Sequence, residues 1–103
     1  MVLVCHACGA EIADDDARIE IAGLHRHTGT NPGGTTFVVC CFAVVLGLEE
    51  VTNPSSEWSW FPGYRWQVEN CATCDAHLGW KYTRADGSFH GLIEDRVVAQ
   101  GSG

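Results

Sequence analysis

Two Cys-x-x-Cys pairs constrain this chain more than any other feature: Cys5-His6-Ala7-Cys8 near its start and Cys71-Ala72-Thr73-Cys74 far downstream. The spacing lets one tight turn point two thiolates at one metal ion. Two such turns complete a tetrahedral sulfur shell, the closed environment of structural zinc. Cys5, Cys8, Cys71 and Cys74 are therefore expected to hold one Zn2+. Distant segments must then meet, which clamps everything between them into one unit. A four-thiolate shell leaves no position for water, so such a zinc serves the fold. His6 and His77 flank the pairs as substitute ligands, although four thiols already fill the shell. Cys40 and Cys41 are adjacent in an apolar stretch, so on a strand they point to opposite faces and read as small buried hydrophobes.

A chain of 103 residues is one small domain, expected over residues 1–100 with residues 101–103 as a tail. At this size the margin between burial and chain entropy is thin, and a metal staple helps. Six cysteines also allow three disulfides, but the paired spacing favours metal. No signal-peptide pattern is visible, and thiolate ligands fit a reducing cytoplasm, the expected location. With 46% apolar and 18% charged residues the chain reads as folded. Its net charge of -7 and six scattered Lys and Arg argue against a nucleic-acid partner. The longest apolar run, residues 37–48, is interrupted by Gly47 and is too short to cross a membrane as a helix.

The pattern along the chain is that of an all-β, antiparallel fold. Residues 18–21 alternate polar and apolar, a half-buried strand. Residues 35–46 are rich in Val, Phe and Thr and read as a strand buried on both faces. Residues 65–69, 78–83, 88–93 and 96–99 are further strands. Asp86-Gly87 marks a hairpin, and Asn31-Pro32-Gly33-Gly34, Asn53-Pro54-Ser55-Ser56 and Phe61-Pro62-Gly63-Tyr64 mark turns or loops. Asp14-Asp15-Asp16 opens a short helix or a solvated turn.

All four tryptophans, Trp58, Trp60, Trp66 and Trp80, fall within residues 58–80, with Tyr82 close behind. Trp58 and Trp60 share a face if they lie on a strand, as do Trp80 and Tyr82. An aromatic core is one reading. The other is a concave cage that admits a flat ring or a cation over the ring faces, with Glu57 and Glu69 near enough to favour a cation.

The run Ser59-Trp60-Phe61-Pro62-Gly63-Tyr64-Arg65-Trp66, followed by Cys71-x-x-Cys74 and His77-Leu78-Gly79-Trp80-Lys81-Tyr82, resembles the thalidomide-binding (CULT) domain family of cereblon. Asn31-Pro32 and Cys5-x-x-Cys8 fall where that family places them, so the resemblance spans nearly the whole chain, in the manner of a single-domain bacterial relative. It implies a β-tent of antiparallel sheets pinned by one four-cysteine zinc. It implies that Trp60, Trp66 and Trp80 wall a pocket floored by Tyr82, where vertebrate members carry Phe. The ligand it implies is a glutarimide or similar cyclic imide. Backbone groups of Trp58 and Ser59 would pair with the imide edge, and the Trp80 indole N–H with a carbonyl. Asn31, Pro32 and Phe37 would touch the ligand's outer part. Vertebrate members look to have His at the positions of Trp58 and Phe37.

The expected function is a binding module, not an enzyme. Its ligands would be cyclic imides, uracil-like rings, or peptide ends cyclised from Asn or Gln. A cage for a methylated ammonium is the alternative. A reductase resembling the B-type methionine sulfoxide reductases is a further one, but no cysteine follows Cys74 to act as nucleophile.

Overall fold

The computed structural model describes residues 1–100, so the expected tail at 101–103 lies outside the described residues. Nine strands follow one another: β1 Val2–Cys5, β2 Glu11–Asp14, β3 Arg26–Thr30, β4 Thr36–Phe42, β5 Leu48–Glu50, β6 Arg65–Cys71, β7 His77–Arg84, β8 Gly87–Ile93 and β9 Val97–Ala99. They form a three-stranded sheet, β2-β1-β9, and a six-stranded sheet, β3-β4-β8-β7-β6-β5. Every pairing is antiparallel. The described residues contain no α-helix, only 3-10 turns at Asp15–Ala17 and Glu94–Arg96. The first is capped by the Asp14 carboxylate, which accepts from the Asp16 N–H at 3.0 Å.

Four expectations about elements need correction. Residues 18–21 form no strand; a single bridge, Arg18 to Phe42, touches the sheet, and a second, Ile21 to Leu24, closes a local turn. The chain reverses there through Ala22 and Gly23, both with positive φ, which ends any ladder. Residues 35–46 are a strand only as far as Phe42. Beyond it Leu46 N–H donates to Ile12 and Ala72 N–H to the Gly47 carbonyl, both at 2.8 Å. The backbone thus leaves the sheet to join β2 and the second cysteine turn. Trp58 and Trp60 lie in the irregular segment between β5 and β6 and share no strand face. The β7–β8 hairpin turns through Ala85 and Asp86, one residue earlier than its Asp-Gly signal suggests, and Gly87 already pairs with Arg84.

The buried side chains form two clusters. Ile12, Phe42, Leu78 and Leu92 pack with Cys5 and Cys71 between the sheets at the metal end. Val39, Cys41, Phe61, Tyr82 and Phe89 pack behind the tryptophans.

Candidate metal centre and aromatic cleft

The two Cys-x-x-Cys turns share one design. Gly9 N–H donates to the Cys5 carbonyl at 2.9 Å, and Cys5 N–H to Ala10 at 2.8 Å. Asp75 N–H donates to the Cys71 carbonyl, and Cys71 N–H to Ala76, both at 2.8 Å. Each turn needs a left-handed residue at the same place: Gly9 at φ 79° in the first and Asp75 at φ 69° in the second. The four sulfurs lie within 4.8 Å of one another. Cys5 Sγ is 3.7 Å from Cys74 Sγ, and Cys8 Sγ is 3.6 Å from Cys71 Sγ. A tetrahedron with the usual zinc–sulfur bond has edges of about 3.8 Å, which these two sulfur pairs match, so the cluster suits a zinc ion. Burial disfavours the Cys71 thiolate, but the Cys74 and Thr73 N–H groups and the neighbouring thiols outweigh it and lower its pKa to about 7. The metal would join β1 of the small sheet to the β6–β7 turn of the large one.

Next to this centre the large sheet opens into a cleft of about 560 Å³. β6 contributes Trp66 and Val68, and β7 contributes Trp80 and Tyr82, each pair alternating onto one sheet face. β4 adds Phe37, the β3–β4 turn adds Asn31 and Pro32, and the segment before β6 adds Ser55, Glu57, Trp58 and Trp60. That segment is fixed by specific bonds. Ser55 and Trp66 exchange backbone hydrogen bonds at 3.0 and 2.8 Å. Trp66 Nε1 donates to the Glu57 carbonyl at 2.6 Å, and Trp60 Nε1 to the Thr30 carbonyl at 3.2 Å. Phe61 anchors the turn from inside, against Tyr82 and Phe89 with ring centroids 4.6 and 5.0 Å apart.

The Trp60 indole lies over Gly29 of β3, where any Cβ would overlap the ring. Trp60 and Trp80 meet edge to face at 5.0 Å and 73°, and Phe37 meets Trp80 at 5.2 Å and 79°. Trp58 stands at the lip, 73% exposed, with a φ of 59° that is rare for so bulky a residue. Ser59 does not line the cleft; its hydroxyl donates to the Phe61 carbonyl at 3.0 Å and accepts from the Phe61 N–H at 3.3 Å. The other expected site residues all line it.

Two indole donors are thus used within the protein, while the Trp80 N–H makes no hydrogen bond with any described residue. His77 also lines the cleft, although the sequence suggested for it only a metal role. Its Nε2–H donates to the Gly79 carbonyl at 3.0 Å, and burial holds its pKa below the usual imidazole value. The ring is therefore neutral near pH 7 and keeps Nδ1 as an acceptor. Strand parity gave no signal for His77: three residues before Trp80 it is off the alternation, and the extra residue Leu78, inserted in β7 between the Asn70–His77 and Glu69–Gly79 pairs, brings it back. Cys40 and Cys41 stand apart from both sites. Burial raises the Cys41 thiol to about 12 and, with Glu94, raises Cys40 too, so neither is an activated thiolate.

A family model described as Yippee zinc-binding/DNA-binding/Mis18, centromere assembly, matches residues 1–98. Among curated proteins, cereblon of Gallus gallus is 57% identical over 53 residues, covering 52% of this chain and 12% of that protein. Cereblon of Xenopus tropicalis is 40% identical over 53 residues, with the same coverage of 52% and 12%. Cereblon of Drosophila persimilis is 34% identical over 78 residues, covering 65% of this chain and 12% of that protein. The chain thus spans about 12% of the length of these curated relatives. With a zinc-ready cysteine tetrad and a match that runs almost from end to end, the chain belongs to the Yippee-Mis18 family, and part of it is similar to cereblon.

Proposed function

We propose that this chain is a ligand-binding module of the CULT type, a β-tent over residues 1–100 that takes up a cyclic imide, or a compact ring with the same edge, in its tryptophan-walled cleft. The observation that carries this reading is the division of labour in the cleft. Its walls are apolar and aromatic, and between them the Trp80 indole donor is left for a guest, while Trp58, whose N–H is also without a partner among the described residues, stands exposed at the lip. A cyclic imide presents an N–H flanked by two carbonyls, with apolar carbons behind. One carbonyl accepts from Trp80 Nε1–H, backbone groups of Trp58 meet the rest of the edge, and the carbons pack on the indoles. Zinc would supply no chemistry to this event; held by Cys71 and Cys74, it would fix the turn that joins the strands carrying Trp66 and Trp80.

Glutarimide-like drugs, uracil-like rings and peptide ends cyclised from Asn or Gln all carry such an edge. The family description also names DNA binding. A net charge of -7 disfavours that role here, and Arg18, Arg26, Lys81 and Arg84 are each paired with a carboxylate. Catalysis is disfavoured because the two thiols outside the metal centre, Cys40 and Cys41, are not activated, and no hydrogen-bonded pair of nucleophile and base lines the cleft among the described residues. Thiolate ligands suit a reducing compartment such as the cytoplasm. No helix among the described residues is long and apolar enough to cross a membrane.

One observation favours a second reading. Glu57 lines the cleft and makes no ion pair with any described residue, which favours an aromatic cage for a methylated ammonium as the alternative. Titration of the zinc-loaded protein with glutarimide and with tetramethylammonium, followed by tryptophan fluorescence, separates the two. The imide reading expects saturable quenching by glutarimide alone, and a response to the ammonium alone would replace it.

A further inference from the structure

One wall of the cleft is held from outside it. Phe37 is the second residue of β4, and its place in the sheet gives its ring little support. Its ladder partner in β3 is Gly29, which has no side chain, and the ladder to β8 starts only at Val39. Other groups therefore place the ring. In the cleft it meets Trp80 edge to face at 5.2 Å and 79°, and His77 stands 6.5 Å away at 66°. His77 in turn meets Trp80 at 4.7 Å and 89°. Phe37 is shared with a smaller cavity of about 330 Å³, and Arg96 lines that cavity but not the cleft. The Arg96 guanidinium carbon lies over the Phe37 ring, 5.7 Å from its centre and within cation–π range. Arg96 Nη1 also donates to the His77 carbonyl at 3.0 Å.

Arg96 differs from the other cations of the chain. Arg18, Arg26, Lys81 and Arg84 each face a carboxylate, and Arg65 is exposed. Arg96 is partly buried and makes no ion pair with any described residue, although Glu94 and Asp95 precede it. A charge drawn out of water needs partners, and here they are the His77 carbonyl and the Phe37 ring. The backbone of Arg96 is fixed as well. Its carbonyl accepts from the His6 N–H at 3.0 Å, which ties the Glu94–Arg96 turn to the first cysteine turn. A fixed base, a directional hydrogen bond and a cation over a ring together make a brace. We infer that Arg96 is a positioning residue of the cleft. Without touching the guest, it holds Phe37 and the start of β7 so that Phe37 and His77 stand against Trp80. This inference rests on the imide reading, because the guest is what probes the wall.

The test is a double-mutant cycle on glutarimide affinity, measured calorimetrically with zinc-loaded protein. Arg96→Met keeps an unbranched stem but removes the charge and the donors. It should weaken glutarimide binding by about tenfold, within the range of one net hydrogen bond and one cation–π contact, with zinc content unchanged. Arg96→Lys keeps a charge and a donor and should recover binding to within about threefold of wild type. In a Phe37→Leu background Arg96→Met should cost only about threefold, because the ring through which it acts is gone. A loss of the same size in both backgrounds, no loss at all, or no recovery by lysine overturns the inference and leaves the imide reading standing. A second measurement needs no variant. In wild-type protein with isotope-labelled arginine, saturation with glutarimide should move the Arg96 Nε–H resonance and leave that of Arg84, which lies over Tyr64 outside the cleft, in place. An unmoved Arg96 resonance has the same consequence as an equal loss. If glutarimide does not bind wild type at millimolar concentration, both this inference and the imide reading are overturned.

Discussion

A single hydrogen atom at Gly29 decides where the Trp60 indole can lie. Because the ring rests where a Cβ would be, Gly29→Ala must displace it, and the Trp60 Nε1 bond to Thr30 goes with it. Overpacking of this kind costs about 1–3 kcal/mol of stability. Glutarimide affinity should fall at least tenfold while zinc content stays at one per chain, as metal analysis and calorimetry can show. Unchanged affinity would mean that Trp60 is no wall. His77 yields a pH prediction. Its folded pKa lies below the unfolded value of about 6.5, so its contribution to stability is complete above that value and is lost as pH falls toward the folded one. Urea unfolding at pH 7.5 and 5.5 should show a larger loss in wild type than in His77→Asn; equal losses would remove His77 from the account. At this scale the tryptophans and cysteines were legible because their chemistry is distinctive. The roles of Gly29 and His77 depend on contacts with residues far away in sequence, which no local pattern reports.

Among the elements, β6, β7 and β8 carry both the cleft and half of the metal site. Their alternation and the Asp-Gly signal made them readable to within a residue or two. The stretch from residue 43 to 47 was not readable, because its apolar composition matches a strand while its hydrogen bonds go to β2 and to Ala72. Nor was the loss of a strand at residues 18–21, where a left-handed turn at Ala22 and Gly23 overrides the alternation. Within the large sheet Gly79 permits the close approach of β7 to β8, since a Cβ there would overlap the Gly91 carbonyl. Gly79→Ala should therefore lower stability by about 2 kcal/mol or more, seen as a lower urea midpoint. A midpoint within error of wild type would show that the strands can part without cost.

For the molecule as a whole, the metal centre is a junction of two sheets that also share the packing of Ile12, Phe42, Leu78 and their neighbours and a few hydrogen bonds such as Leu46 N–H to Ile12. Binding energy at a site absent from the unfolded chain is folding energy. Cys71→Ser, or chelation of the wild type, should cost several kcal/mol and melt the cleft together with the fold. Circular dichroism and tryptophan emission should then change in one transition. A chelated protein with wild-type emission and thermal midpoint would remove zinc from the account. The doubled cysteine spacing revealed this junction directly. The sequence alone did not tell whether the indoles fill a core or border a void, because that depends on how the segment before β6 is tied down.

Edge recognition by the cleft is tested most directly by titrating zinc-loaded protein with glutarimide and with N-methylglutarimide, which differ only at the imide donor. The account predicts saturable 1:1 binding of glutarimide and a loss of at least tenfold on methylation. Equal affinity for the two rings, or no binding of either, would contradict it.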